Sequence, residues 1–145
     1  MLFRPEIPAN TGNIGRLCVG STSTLHLIKP FRFLIDEKSL RRAGLDYWQY
    51  LDLMVHSCID AIYDSVPADR IFLCTTKTSH SYLDRKYQPG DAFVFGPESS
   101  GLPEDLLHAH PEQCIGIPMH PAIRSINLAN SVAIILYEAL RQINA

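Results

Sequence analysis

A chain of 145 residues suits one compact domain, and such a chain buries roughly 68–70% of its unfolded surface, enough to fold without staples. Apolar residues make up 46% and charged residues 19%, as in ordinary soluble proteins, and the net charge of −2 excludes a uniformly basic nucleic-acid binder. No apolar run approaches the ~20 residues of a membrane-spanning helix, and the opening Met-Leu-Phe-Arg-Pro-Glu is no secretory signal, so a cytoplasmic protein without a membrane partner is expected.

Taken in chain order, Leu2-Phe3 reads as the stub of an edge strand. A turn at Asn10–Gly12 then opens a helix from Asn13 to about Ser21. Leu25–Ile28 reads as a buried strand. Glu37–Ala43 reads as a helix, with Arg41-Arg42 in its last turn and Gly44 as its stop signal. Leu51–Val55 is the next strand, Ser57–Ser65 the next helix, and Ile71–Thr75 and Ala92–Phe95 two further strands. Glu104–Ala109 is helical, with Pro103 at its first position and acids in its first turn, and Cys114–Ile117 is the last strand. The strongest helix runs from Asn127 to about Asn144, where Leu128, Val132, Ile135, Leu136, Ala139, Leu140 and Ile143 recur at helical spacing. Strands alternating with helices predict an α/β fold, a mostly parallel sheet with helices on both faces. With no repeat, low-complexity tract or linker, residues 1–145 read as a single domain.

Cys18, Cys58, Cys74 and Cys114 form no Cys-x-x-Cys pair and each sits in an apolar stretch, so buried free thiols are expected. His108 and His110 are two apart and do not share a helix face, so no metal is expected. The cations Arg41-Arg42, Arg85-Lys86, Arg16, Lys77 and Arg124 could gather into a patch if two copies associate, although such pairs are more often a solvated face.

Three segments carry the chemistry. Asn10-Thr11-Gly12-Asn13-Ile14-Gly15-Arg16 reads as a glycine-containing loop opening a helix, where backbone amides meet anions. Arg16 would then sit in the first turn, against the helix dipole, which marks it as a functional candidate beside the equally good reading of a generic turn. Phe95-Gly96-Pro97-Glu98-Ser99-Ser100-Gly101-Leu102 leaves a strand end, where open α/β sheets bind ligands, with Glu98 beside a glycine; a plain connection competes. Ile117-Pro118-Met119 and Arg124-Ser125-Ile126-Asn127-Leu128 place apolar residues beside polar backbone, which suits a flat purine, while Ser125 or Asn127 caps the long helix.

Together, and in this order, Asn-x-Gly-Asn-x-x-Arg, Phe-Gly-Pro-Glu-x-x-Gly-Leu and Ile-Pro-Met…Arg-Ser-x-Asn-Leu-Ala-x-Ser resemble the three motifs of the SpoU family of SPOUT methyltransferases across essentially the whole chain. Arg41-Arg42-Ala43-Gly44-Leu45-Asp46-Tyr47 and Thr75-Thr76-Lys77 resemble the subfamily that methylates the ribose 2′-hydroxyl of the wobble nucleotide, cytidine-34 or a modified uridine-34, of tRNA.

The resemblance implies a C-terminal deep trefoil knot, which physical reasoning alone would disfavour, and a homodimer acting on the anticodon stem-loop. It implies S-adenosylmethionine as cofactor, converted to S-adenosylhomocysteine without a metal. It assigns the cofactor to Cys74, Gly96, Ile117, Met119, Ser125, Ile126 and Leu128, catalysis to Arg16 supported by Asn10, Glu98 and Asn127, and RNA contacts to Lys77, Arg124, Tyr137, Arg41 and Arg42. A guanidinium is a poor base, so Arg16 is expected to orient and activate the 2′-hydroxyl. A SpoU-type enzyme acting at another tRNA or rRNA position is the alternative. A non-catalytic RNA-binding module and a Rossmann-type nucleotide binder are weaker ones, the latter lacking its glycine fingerprint.

Overall fold

The computed structural model describes residues 1–31 and 46–144. Six strands form one parallel sheet: β1 (Leu2–Phe3), β2 (Leu25–Ile28), β3 (Leu53–His56), β4 (Ile71–Cys74), β5 (Ala92–Phe95) and β6 (Cys114–Ile115), in the order β3-β2-β1-β5-β4-β6. The helices are α1 (Pro8–Gly20), α2 (Asp60–Tyr63), α3 (Glu104–Ala109) and α4 (Leu128–Ile143).

Side chains alternate across each strand and so build two cores. Leu25, Leu27, Phe72 and Phe95 pack on Ile14 and Cys18 of α1 and Val132, Ile135 and Ala139 of α4. Ile28, Ile71, Leu73, Ala92 and Val94 pack on Ile62 of α2 and Leu107 of α3. Helices therefore cover both faces, as alternation in the sequence predicts.

The first strand departs from expectation. Leu2-Phe3 is not an edge but the centre of the sheet, paired with β2 (Leu2 opposite Leu27) and with β5 (Leu2 opposite Phe95), and Leu2 is 1% exposed. Two residues suffice because the flanking backbone extends the ladder: Arg4 N–H donates to Ile28 O (2.9 Å) and Phe95 N–H to Met1 O (3.0 Å).

Helix α1 begins at Pro8, five residues before the expected start, with proline in the first turn where its missing N–H costs nothing. Asn10–Gly12 is thus helix, not turn, and Arg16 stands deep inside α1 on its exposed side, so the dipole argument does not apply to it. Gly12 and Gly15 lie instead within the helix, facing the segment around Trp48. A Cβ on Gly15 would lie 2.8 Å from the Trp48 ring, and Gly12 O accepts a hydrogen bond from the Tyr47 hydroxyl. Both partners come from the 3-10 turn Asp46–Tyr50.

Other boundaries shift for local reasons. β3 starts at Leu53 because Leu51 N–H closes the 3-10 turn on Trp48 O (3.1 Å). The expected Ser57–Ser65 helix shrinks to Asp60–Tyr63, where Ser65 Oγ caps Ile62 O (3.1 Å) just ahead of Pro67. β4 stops at Cys74 rather than Thr75, and β6 at Ile115, since Gly116 turns to bridge Ser81. Pro103 precedes α3 as its cap rather than forming its first residue. Cys18 and Cys114 are buried and Cys74 half-buried, but Cys58 is exposed, against expectation. The expected helix at 37–43, with Arg41 and Arg42, lies outside the described residues.

Candidate active site

Strands β4, β5 and β6 end level with one another: Cys74 pairs with both Phe95 and Ile115. Because the sheet is parallel, the three following segments leave on the same side, where open sheets bind ligands. They enclose a cavity of about 510 Å³. Its lining includes Cys74, Gly96, Ile117, Met119, Ser125, Ile126 and Leu128, all seven residues expected at a cofactor, together with Asn10, Glu98, Asn127, Lys77 and Arg124.

Backbone packing shapes the β5 loop. A Cβ on Gly96 would stand 2.2 Å from Gly101 C and from Leu102 N, so only glycine lets the loop fold back there. Gly101 closes the turn with φ +72°, and its N–H donates to Pro97 O (2.9 Å).

One hydrogen-bonded chain frames the cavity. Glu98 Oε2 accepts from Glu6 N–H (2.9 Å), and its Oε1 accepts from Ile7 N–H (3.2 Å) and Asn10 Nδ2 (3.1 Å). The carboxylate thus caps the N-terminus of α1, where the helix dipole favours a negative charge. Asn10, 6% exposed, has its own Oδ1 engaged by Asn127 Nδ2 (3.1 Å). Asn127 Oδ1 in turn caps α4, accepting from Ala129 N–H (2.9 Å) and Asn130 N–H (3.4 Å). Glu6 answers from the other side: its carboxylate accepts from Ser99 N–H (2.9 Å) and Ser99 Oγ (2.8 Å). Three segments distant in sequence, with Asn10 standing 88 positions from Glu98 and 117 from Asn127, are fixed to one another at the rim of one cavity.

The titratable groups suit a binding pocket better than a proton relay. Burial pushes the Cys74 thiol well above its ordinary range, so it lines the wall as a neutral group rather than a thiolate. Lys77 Nζ stands 2.5 Å from Glu104 Oε1 at the rim, and that contact holds the Glu104 carboxyl below the usual carboxylate range.

Two expected site residues lie elsewhere. Arg16 is not among the lining residues; its guanidinium sits 4.7 Å from the centroid of the Tyr47 ring, and it makes no pair with Glu98. Burial raises the Tyr47 hydroxyl, with Arg16 working against that shift. Tyr137 projects from α4, 53% exposed. Arg41 and Arg42 lie outside the described residues.

Sequence reasoning missed several lining residues: Thr75, Thr76, Leu102, Gly116, Ser131 and Ile135. Gly116 carried a readable signal, a glycine inside an apolar run. A Cβ there would lie 2.9 Å from Thr75 O, so the two loops touch through backbone. Among the described residues, no group of three or more His, Cys, Asp or Glu is placed to hold a metal ion.

Residues 1–137 match the model of the SpoU rRNA Methylase family. The tRNA (cytidine(34)-2'-O)-methyltransferase of Methylovorus glucosotrophus is 48% identical, over 98% of this chain and 93% of the relative. A solved structure described as giving insights into the 2-OH methylation of C/U34 on tRNA superposes with a TM-score of 0.88 at 41% identity, covering 97% of this chain and 92% of the other. The SpoU methyltransferase AviRb from Streptomyces viridochromogenes, solved in complex with the cofactor AdoMet, superposes with a TM-score of 0.76 at 25% identity, over 97% of this chain and 56% of its own.

Proposed function

This chain belongs to the SpoU rRNA methylase family, and from that membership we propose that it methylates the ribose 2′-hydroxyl of the wobble nucleotide of tRNA, using S-adenosylmethionine. The observation that carries the reading is the 510 Å³ cavity at three level strand ends, with all seven expected cofactor residues on its wall. The residues fit such a ligand. The volume falls in the ~300–1,000 Å³ range of small-molecule sites, and Ile117, Met119, Ile126 and Leu128 offer apolar surface beside exposed loop backbone. When bound, the cofactor supplies an electrophilic sulfonium methyl group and leaves as S-adenosylhomocysteine.

The chain's own contribution is positioning, which can supply ~7–11 kcal/mol in a two-reactant reaction. Asn10, Glu98 and Asn127 hold the rim segments together. Glu98 has three donors on it and is assigned a structural role rather than the ribose proton. Arg16 presents a fork of donors suited to a ribose oxygen or phosphate. Since it does not line its own cavity, we assign it to the cavity of a second copy, in a homodimer. Ile134 on α4 and Ile7 before α1 are exposed and give such an interface apolar surface. Lys77, Arg124 and Tyr137 are assigned to the anticodon stem-loop. The same RNA role for Arg41 and Arg42 falls on residues outside the described part of the chain. Among the described residues no helix is long and apolar enough to cross a membrane, which agrees with a cytoplasmic site of action. The knotted C-terminus implied by the family resemblance accords with the sheet order β5-β4-β6 and the return of the chain to the same cavity.

Purified protein incubated with methyl-labelled cofactor and unmodified tRNA should leave the label as a 2′-O-methyl nucleoside at position 34, read by nuclease digestion and mass spectrometry. Label at another position would reject the wobble assignment, and no label from folded protein would reject the activity. Sedimentation at micromolar concentration should give twice the chain mass; a monomer that methylates tRNA would reject the shared site.

A further inference from the structure

A second cleft of about 300 Å³ opens beside the cofactor cavity and shares Lys77 with it. Its walls are the turn carrying Lys77, Ser79 and His80, and the face of α3 carrying Glu104 and His108, one helical turn apart; Leu107 lies at its base. The turn is a built wall. Lys77 N–H donates to Thr75 Oγ1 (3.1 Å) and His80 N–H to Thr78 Oγ1 (3.2 Å), while Gly116 N–H donates to His80 O (2.9 Å). Arg85 Nη2 lies 3.5 Å from His80 Nδ1. Among the described residues, the cleft presents Lys77, Ser79, His80 and His108 beside a single carboxylate, Glu104, already set against Lys77 at 2.5 Å.

We propose that this cleft seats the RNA backbone flanking the target ribose, and that Glu104 occupies the Lys77 ammonium in the free protein where a phosphodiester of the substrate takes its place. The proposal rests on the methyltransferase reading above and names where that substrate's backbone goes. The Lys77–Glu104 pair is suited to exchange: its side chains are 51% and 64% exposed, and ion pairs so exposed hold weakly. A phosphate contact, by contrast, gains from released counterions. This also accounts for how a chain of net charge −2 meets RNA, through local cations that its own carboxylate covers until the substrate arrives.

Two variants with opposite expected signs test it by steady-state methylation of tRNA and by calorimetry with S-adenosylmethionine. E104Q should lower the KM for tRNA about threefold and steepen its salt dependence by ~0.7 in log–log slope, one single-strand phosphate contact. H80A/H108A should raise the KM for tRNA about fivefold, the effect of roughly one lost hydrogen bond, with kcat little changed. The Kd for S-adenosylmethionine should be the same in all three proteins. Unmoved KM values in both variants would overturn the proposal. So would an E104Q effect that falls on S-adenosylmethionine affinity, which would make Lys77 a ligand of the cofactor's carboxylate. If the wild-type protein methylates no tRNA, the activity reading fails instead. Filter binding of an anticodon stem-loop to wild type and E104Q then still decides the cleft, since equal affinities reject it.

Discussion

Replacing Asn10 by Asp changes one atom at the hub of the frame and turns a donor into an acceptor. Asn10 Nδ2 lies 3.1 Å from Glu98 Oε1, so Asn10→Asp sets two carboxylates against each other at a site 6% exposed. Two unit charges at that separation repel by ~5 kcal/mol at an effective dielectric of 20, an upper bound. The pair escapes by keeping one proton, which at pH 8 costs ~1.36 kcal/mol for each of about four pH units above the ordinary carboxyl pKa. The two routes set the expected loss at roughly 3–5 kcal/mol at pH 8 and ~1–2 kcal/mol at pH 5. The sign follows from linkage. The shared proton raises a folded-state pKa above its unfolded value, so stability is retained at low pH and lost as pH rises through the folded pKa. Asn10→Ala removes the donor without adding a charge and should cost ~1–3 kcal/mol at every pH. Urea unfolding of both variants and wild type at pH 5, 6.5 and 8 separates them. An Asn10→Asp deficit that stays constant from pH 5 to pH 8 would refute a direct Asn10–Glu98 contact and, with it, the frame.

Three further outcomes are expected. Gly96→Ala drives a methyl group into the backbone of Gly101 and Leu102, and should cost about 2–3 kcal/mol and abolish cofactor binding in calorimetry; wild-type affinity would contradict the described loop. Arg16→Ala should lose single-turnover methylation by two orders of magnitude or more, keep S-adenosylmethionine affinity within about twofold, and lose only ~0.5–1 kcal/mol of stability for the contact over Tyr47; a joint loss of stability and cofactor affinity would make it a structural residue. His26 Nδ1 and His56 Nε2 meet at 2.8 Å across β2 and β3, and burial, with His56 adding to it, lowers the His26 pKa to about 4. The unfolded chain therefore binds more protons between pH 6.5 and 4, so stability falls as pH drops through that window, by roughly 1–2 kcal/mol once partial exposure is allowed for. His26→Leu should flatten that part of the pH–stability profile, and an unchanged slope would reject the assignment.

Much of the architecture was legible because buried parallel strands are written as short apolar runs. Leu25–Ile28 and Ala92–Phe95 match to the residue, as does α3, with its acids in the first turn. What failed was punctuation. Gly12 and Gly15 look like turn residues, but both lie within α1, where Gly15 admits the Trp48 ring and Gly12 O accepts from Tyr47, contacts across some thirty residues that no local pattern reveals. The place of β1 in the sheet was hidden for a related reason: two apolar residues carry no sign of being flanked on both sides. At the site, the strand-end loops and the cap Asn127 were readable from local rules, and the residues expected at a cofactor came through resemblance; all of these line the cavity. The link from Asn127 through Asn10 to Glu98 was not readable, because its partners stand 117 and 88 positions apart. Nor was the placement of Arg16 off the cavity wall, which depends on the helix starting at Pro8.

The bond from Asn127 to Asn10 has a consequence for the order in which the molecule comes into being. A chain leaving the ribosome exposes β1 and α1 first, yet the cavity rim they contribute to is closed only when the last helix docks against the first. Pairings at such separations carry a large loop-closure cost and form late. A ligand that binds only the closed rim therefore selects finished molecules, and it stabilises them by RT ln(1 + [L]/Kd). Binding at that rim would then tell a finished chain from one still being made, before any RNA has been touched.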